Sequence, residues 1–94
     1  MPFEIPLPAV VKKEGWKVKI LDRERLEPPH VTIIRRVQKW RVSLRDRTFI
    51  VPPGGGWNDV HAGVRRAIED NWNTLVQAWD TKYPENPVEG RDDD

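Results

Sequence analysis

The chain has no cysteine among its 94 residues, which excludes disulfides, thiolate metal sites and cysteine nucleophiles together and suits a reducing compartment. No apolar run approaches the roughly 20 residues of a membrane span, and the N-terminal MPFEIPLPAVVKK lacks the basic-then-apolar order of a signal peptide. A cytoplasmic location without a membrane partner is expected. Net charge is nearly absent too, at +1. What remains is enough chain for one small domain and no second core. Five Trp, two Phe and one Tyr nevertheless supply large core side chains of the kind disordered chains lack.

The near-zero net charge conceals an asymmetry. Lys12 to Arg47 holds twelve Lys/Arg against five Asp/Glu, and Asp59 to Asp94 holds four against nine. The front half is therefore suited to face an anion.

Pro2, Pro6 and Pro8 fix φ and remove backbone donors, so residues 1–14 are expected to be an extended N-terminal segment, at most an edge strand. Gly15 to Leu21 alternates, with Trp16, Val18 and Ile20 inward and Lys17 and Lys19 outward. After a charged stretch and Pro28-Pro29, His30 to Arg36 reads as a second strand. Lys39 to Arg45 is a third, with Trp40, Val42 and Leu44 inward, joined to the second by a short Val37-Gln38 link. Thr48 to Val51 adds a short fourth. Pro52-Pro53-Gly54-Gly55-Gly56 then breaks regular structure, and Asn58 or Asp59 is placed to cap a helix. Apolar residues from Val60 through Val64, Ile68, Trp72, Leu75 and Trp79 recur at three- and four-residue steps before Tyr83-Pro84. The fold class is α+β: an antiparallel meander of three or four strands packed on one C-terminal α-helix, compact over residues 15–83. The acidic tail 84–94 has no evident apolar burial and is expected to be mobile.

Pro28-Pro29-His30-Val31, the hairpin after it and a helix carrying Asp70-Asn71-Trp72 resemble the small bacterial domain-of-unknown-function family numbered 4160. Members of that family typically read Pro-Pro-His-Phe-His-Val at the first site and carry an acidic residue, Asn and Trp late in the helix. The resemblance spans about Gly15 to Trp79. It departs at Thr32, where the family usually has its second histidine. It implies a β-meander-plus-helix fold and a toxin–antitoxin-like context with a small protein partner, and it supplies no catalytic assignment.

The strongest functional signal is the outward set of the strands: Lys17, Lys19, Lys39, Arg41 and Arg45, with Arg36, or Arg35 in the other register. Such a flat positive face can track the phosphates of RNA or another polyanion. A solvated, aggregation-resistant sheet exterior is the competing reading. His30 is the one imidazole near that face and the candidate catalytic residue if RNA is cleaved. Packing or a local hydrogen bond is its competing role, favoured by the lack of a visible base, nucleophile or second histidine. Trp57, after the glycines, is the candidate partner anchor, with packing under the linker as the alternative. Asp59 and His61 lie two apart and point to different sides of a helix, so no metal site is expected. The glycines fit no phosphate-binding loop order, and no cofactor is expected. Whether the chain is an enzyme stays open. The alternative function is a non-enzymatic module joining a protein partner, or a second copy, through a sheet edge. On the pattern alone, reversing Lys39, Arg41 and Arg45 to Glu abolishes polyanion binding and leaves the thermal midpoint almost unchanged.

Overall fold

The computed structural model describes residues 3–21 and 27–89. Its elements are β1 (Phe3–Glu4), α1 (Ala9–Lys13), β2 (Trp16–Ile20), β3 (His30–Arg35), β4 (Gln38–Ser43), β5 (Phe49–Val51), α2 (Ala62–Asp70) and α3 (Trp72–Lys82), with a 3-10 turn at Trp57–Asp59. The strands form one sheet in chain order, every neighbour antiparallel. The fold is thus a small α+β domain with five strands rather than three or four.

The alternation sets the buried face. Trp16, Val18 and Ile20 of β2, Val31 and Ile33 of β3, and Trp40, Val42 and the following Leu44 are all buried. They form one core with Val64 and Ile68 of α2 and Leu75 and Trp79 of α3, and both helices contact β2. Burying a side chain of this size stabilises the fold by about 1.5–3 kcal/mol, and this face supplies many of the buried side chains.

The extra strand lies at the edge. Phe3 and Glu4 pair with Ile20 and Lys19, and the Ile5 N–H donates to the Val18 carbonyl at 3.2 Å. Pro6 and Pro8 have no N–H to extend the ladder. An extended segment over all of residues 1–14 is corrected by α1. The prolines precede Ala9, so they do not obstruct a helix beginning there; Lys12 N–H donates to the Pro8 carbonyl at 3.0 Å, and Val11 is buried. Gly15 ends the segment at φ 94°, a conformation that suits glycine.

The single helix expected after the glycines is two. The Asn71 side-chain amide donates to the Ala67 carbonyl at 2.8 Å and so shares an acceptor with its own N–H, which bonds the same oxygen at 3.1 Å. Side chains of this type compete with the helical ladder and favour caps. Asn58 and Asp59 do not cap α2. They lie in the 3-10 turn, and His61 takes the N-cap position, its Nδ1 accepting from the Gly63 N–H at 2.8 Å.

The segment after α3 is part of the fold, which corrects the mobile tail for Glu85–Glu89; residues 90–94 lie outside the described residues. The Tyr83 hydroxyl donates to the Leu21 carbonyl. Trp79 Nε1 donates to the Asn86 carbonyl at 2.7 Å, and Asn86 Nδ2 donates to the Glu27 carbonyl at 2.7 Å. The Val88 N–H donates to Asp80 Oδ1 at 2.8 Å, with the Val88 side chain only 6% exposed. A polar, proline-bearing composition concealed this one apolar anchor. Val88→Ala is expected to lower stability by about 1.5 kcal/mol, read as a lower urea midpoint with unchanged slope; a free tail would show no change.

The turn from β4 to β5 is tied by Asp46, whose Oδ1 accepts from the Thr48 hydroxyl at 2.6 Å and from its N–H at 3.0 Å. These bonds hold the Asp46 carboxyl below the usual carboxylate range, the hydroxyl contributing most. A lowered folded-state value means that the contribution of Asp46 is present at neutral pH and is lost as pH falls through its own titration point. In a carboxyl-detected NMR titration, Asp46 is expected to titrate below an ordinary Asp and to move up in Thr48→Val.

Candidate functional site

The face opposite the core is built by register. Lys17 pairs with Ile34 and Ile34 with Lys39, so two lysines flank an isoleucine across three strands. The next row reads Glu4, Lys19, Thr32, Arg41 and Val51. Lys17, Lys19, Lys39 and Arg41 are thus brought onto one face, as the alternation expects.

Their electrostatic states differ. Arg41 donates to Glu27 Oε1 at 2.6 Å, and Lys19 Nζ stands 3.9 Å from Glu4 Oε1. These two cations are offset by carboxylates. Lys17 and Lys39 are exposed and have no ion pair among the described residues.

Arg36 occupies the first of the two loop residues between β3 and β4, at φ 57°, and its Cγ would stand 3.5 Å from a Cβ placed on Gly15. It is exposed and likewise without an ion pair among the described residues. Arg35 belongs to the other face: it pairs in register with Trp16, its guanidinium lies 5.2 Å from the Trp16 ring, and Nε donates to the Glu14 carbonyl at 3.3 Å. Trp16 stacks on Trp40 with ring centroids 5.4 Å apart. The hairpin therefore rests on a fixed aromatic base. Lys12 and Lys13, in the last turn of α1, lead into β2 at the same end. The alternating pattern did not signal them, because they lie in the segment expected to be extended.

Arg45 is not brought to this face. It lies beyond the end of β4, where Nε donates to the Val88 carbonyl at 2.8 Å and Nη2 to that of Pro87 at 3.0 Å. Reversing Lys39, Arg41 and Arg45 together is consequently not neutral for the fold. It removes the Arg45 anchor of the C-terminal segment and the partner of Glu27. Only Lys39 of the three stands clear of such contacts.

His30 is 1% exposed, with Nδ1 2.8 Å from the Pro28 carbonyl and its ring 5.5 Å from that of Trp79. A carbonyl only accepts, so Nδ1 carries the proton in that bond. In this arrangement the imidazole is enclosed. Thr32 is fully buried, and its hydroxyl has no hydrogen-bond partner among the described residues. Trp57 is half-buried against the core. Phe49 meets its ring edge-on at 5.0 Å, and the Arg65 guanidinium lies 5.3 Å from it. A similar contact that the sequence did not suggest places Arg47 4.3 Å from the Trp72 ring.

Among the described residues no group of three His, Cys, Asp or Glu side chains is placed to hold a metal ion, and no helix is long and apolar enough to cross a membrane. An open groove of about 490 Å³ beside α2, lined by Pro8, Ala62, Gly63, Arg66, Ala67, Asp70 and Asn71, brings together one cation and one carboxylate. Both sheet edges are short, with two residues in β1 and three in β5. Comparison with family models, curated proteins and solved structures returns no match.

The Thr32 hydroxyl is buried without a partner among the described residues. A buried polar group without a partner costs about 1–3 kcal/mol, and valine has nearly the same shape. Thr32→Val is expected to stabilise the domain by about 1 kcal/mol in chemical denaturation, whereas destabilisation would show that the hydroxyl is satisfied in solution.

Proposed function

We propose that this chain binds a polyanion, nucleic acid in the first instance, through the end of the sheet where β2 begins and the β3–β4 hairpin turns. The observation that supports this reading is the state of the cations. Lys17, Arg36 and Lys39 are exposed with no carboxylate partner among the described residues, whereas Lys19, Arg35 and Arg41 each face one. Unpaired cations release no internal partner on binding, so their full attraction is available to phosphates. Neighbouring strands lie about 4.8 Å apart, which puts the Lys17 and Lys39 backbones about 10 Å apart across Ile34. That spacing gives two separate contacts along a phosphate chain.

No catalytic role is proposed for His30, which is buried with Nδ1 on the Pro28 carbonyl and its ring beside that of Trp79. Binding of this kind is governed by counterion release, and log affinity falls linearly with log salt. The test is fluorescence anisotropy of labelled oligonucleotides across a salt series. Lys17→Ala/Lys39→Ala is expected to reduce the slope by roughly 2 on duplex DNA and to leave the thermal midpoint close to that of the parent chain. An unchanged slope in a folded double variant would contradict the proposal.

A further inference from the structure

The tip of the β3–β4 hairpin is assembled against the preferences of hairpin turns. A positive φ at the first of two loop residues is where a type II′ turn takes glycine, and here it holds Arg36 at 57°. The second loop residue is Val37, 94% exposed and the most exposed large apolar side chain among the described residues. A lone exposed valine is ordinary on a protein surface. Here it coincides with a strained, long-chain cation where glycine is easiest. Arg47, in the turn from β4 to β5, takes a similar φ of 63°, so it is the coincidence of the strained Arg36 with an exposed Val37 that points from the outlier to a use.

The surroundings indicate the use. Arg36, Gln38 and Lys39 are exposed around Val37, so an apolar point is ringed by two cations and one amide. Beneath them the hairpin is braced by Arg35 against Trp16 and Glu14. β3 and β4 are interior strands of the sheet, with β2 paired alongside as far as Arg35, so only the two-residue tip projects. Side chains at such a tip can enter the grooves of a B-form duplex, whereas the A-form RNA major groove is too deep and narrow for them. In the minor groove, apolar side chains accompanied by Arg, Lys or Gln serve as wedges between base steps.

We propose that the β3–β4 hairpin tip is a DNA-duplex-reading element: Val37 enters the groove of a B-form duplex, Gln38 faces the base edges, and Arg36 and Lys39 take phosphates on either side. This rests on the polyanion-binding reading and adds to it the ligand class and the inserted residue.

The test compares the parent chain with Val37→Asn and with Arg36→Gly/Val37→Asn, using a short labelled DNA duplex, its single strand and the matching RNA duplex. Val37→Asn keeps every charge. It is expected to weaken binding to duplex DNA about tenfold while single-strand binding is unchanged. Arg36→Gly/Val37→Asn supplies a favoured hairpin turn and is expected to raise Tm by a few degrees while losing more duplex affinity. Gain of stability with loss of binding would identify the tip as kept for function. Parent-like duplex binding by Val37→Asn, alongside loss in Lys17→Ala/Lys39→Ala, would overturn insertion and leave the sheet-end reading standing. Preference of the parent chain for RNA duplex or single strand would overturn the DNA assignment. No binding to any of the three at low salt would overturn both readings together.

Discussion

The register of β2 on β3 is the constraint on which everything else in this molecule depends. Val18 stands beside Ile33, and Lys17 beside Ile34. Because side chains alternate with a period of two, a slip by one residue would turn Lys17 and Lys19 into the core and Val18 out to water. Burying an unpaired ammonium is far more costly than any single contact in this sheet is favourable. The same alternation that closes the core under α2 and α3 therefore fixes where the cations emerge. Surface chemistry and folding energy are set by one choice of register.

The two ends of the sheet are finished differently. At the end where β2 finishes, the chain returns after α3 and bonds its own loops: Tyr83 to Leu21, Asn86 to Glu27, and Arg45 to Pro87 and Val88. There Arg45, Arg41 and Arg47 are engaged by carbonyls, a carboxylate and an aromatic ring respectively. At the other end the aromatic base is just as firm, with Trp16 stacked on Trp40 and Arg35 over it. Lys17, Arg36 and Lys39 beyond it have no ion pair among the described residues. Each end carries one non-glycine residue at positive φ, Arg36 at the open end and Arg47 at the closed one, so the ends differ in how their cations are engaged.

Much of this was legible in the residues. The inward set Trp16, Val18, Ile20, Trp40, Val42 and Leu44 is buried as the alternation requires, and the meander follows. The helical stripe was also legible, but its break was not. Apolar spacing runs unbroken through Asn71, and the competition for the Ala67 carbonyl depends on one amide side chain. The return of Glu85–Glu89 was hidden for the opposite reason, a single buried Val88 in a polar stretch. Of the basic residues named from the pattern, Lys17, Lys19, Lys39 and Arg41 share a face, while Arg45 leaves the strand and anchors the tail. Which cations are neutralised was not legible at all. Glu4 and Glu27 are distant in sequence from Lys19 and Arg41 and meet them only through the fold.

The central claim is one of place, that a polyanion meets the hairpin end of the sheet. Amide chemical-shift mapping by NMR tests it most directly, with the isotopically labelled chain titrated with a short DNA duplex at low salt. The account predicts perturbations confined to Gly15–Lys17 and Arg35–Lys39, with Leu21, Asp80 and Tyr83 at the far end unchanged. Perturbations gathered instead around Arg45, Arg47 and Trp72 would contradict it and move the binding surface to the opposite end of the domain.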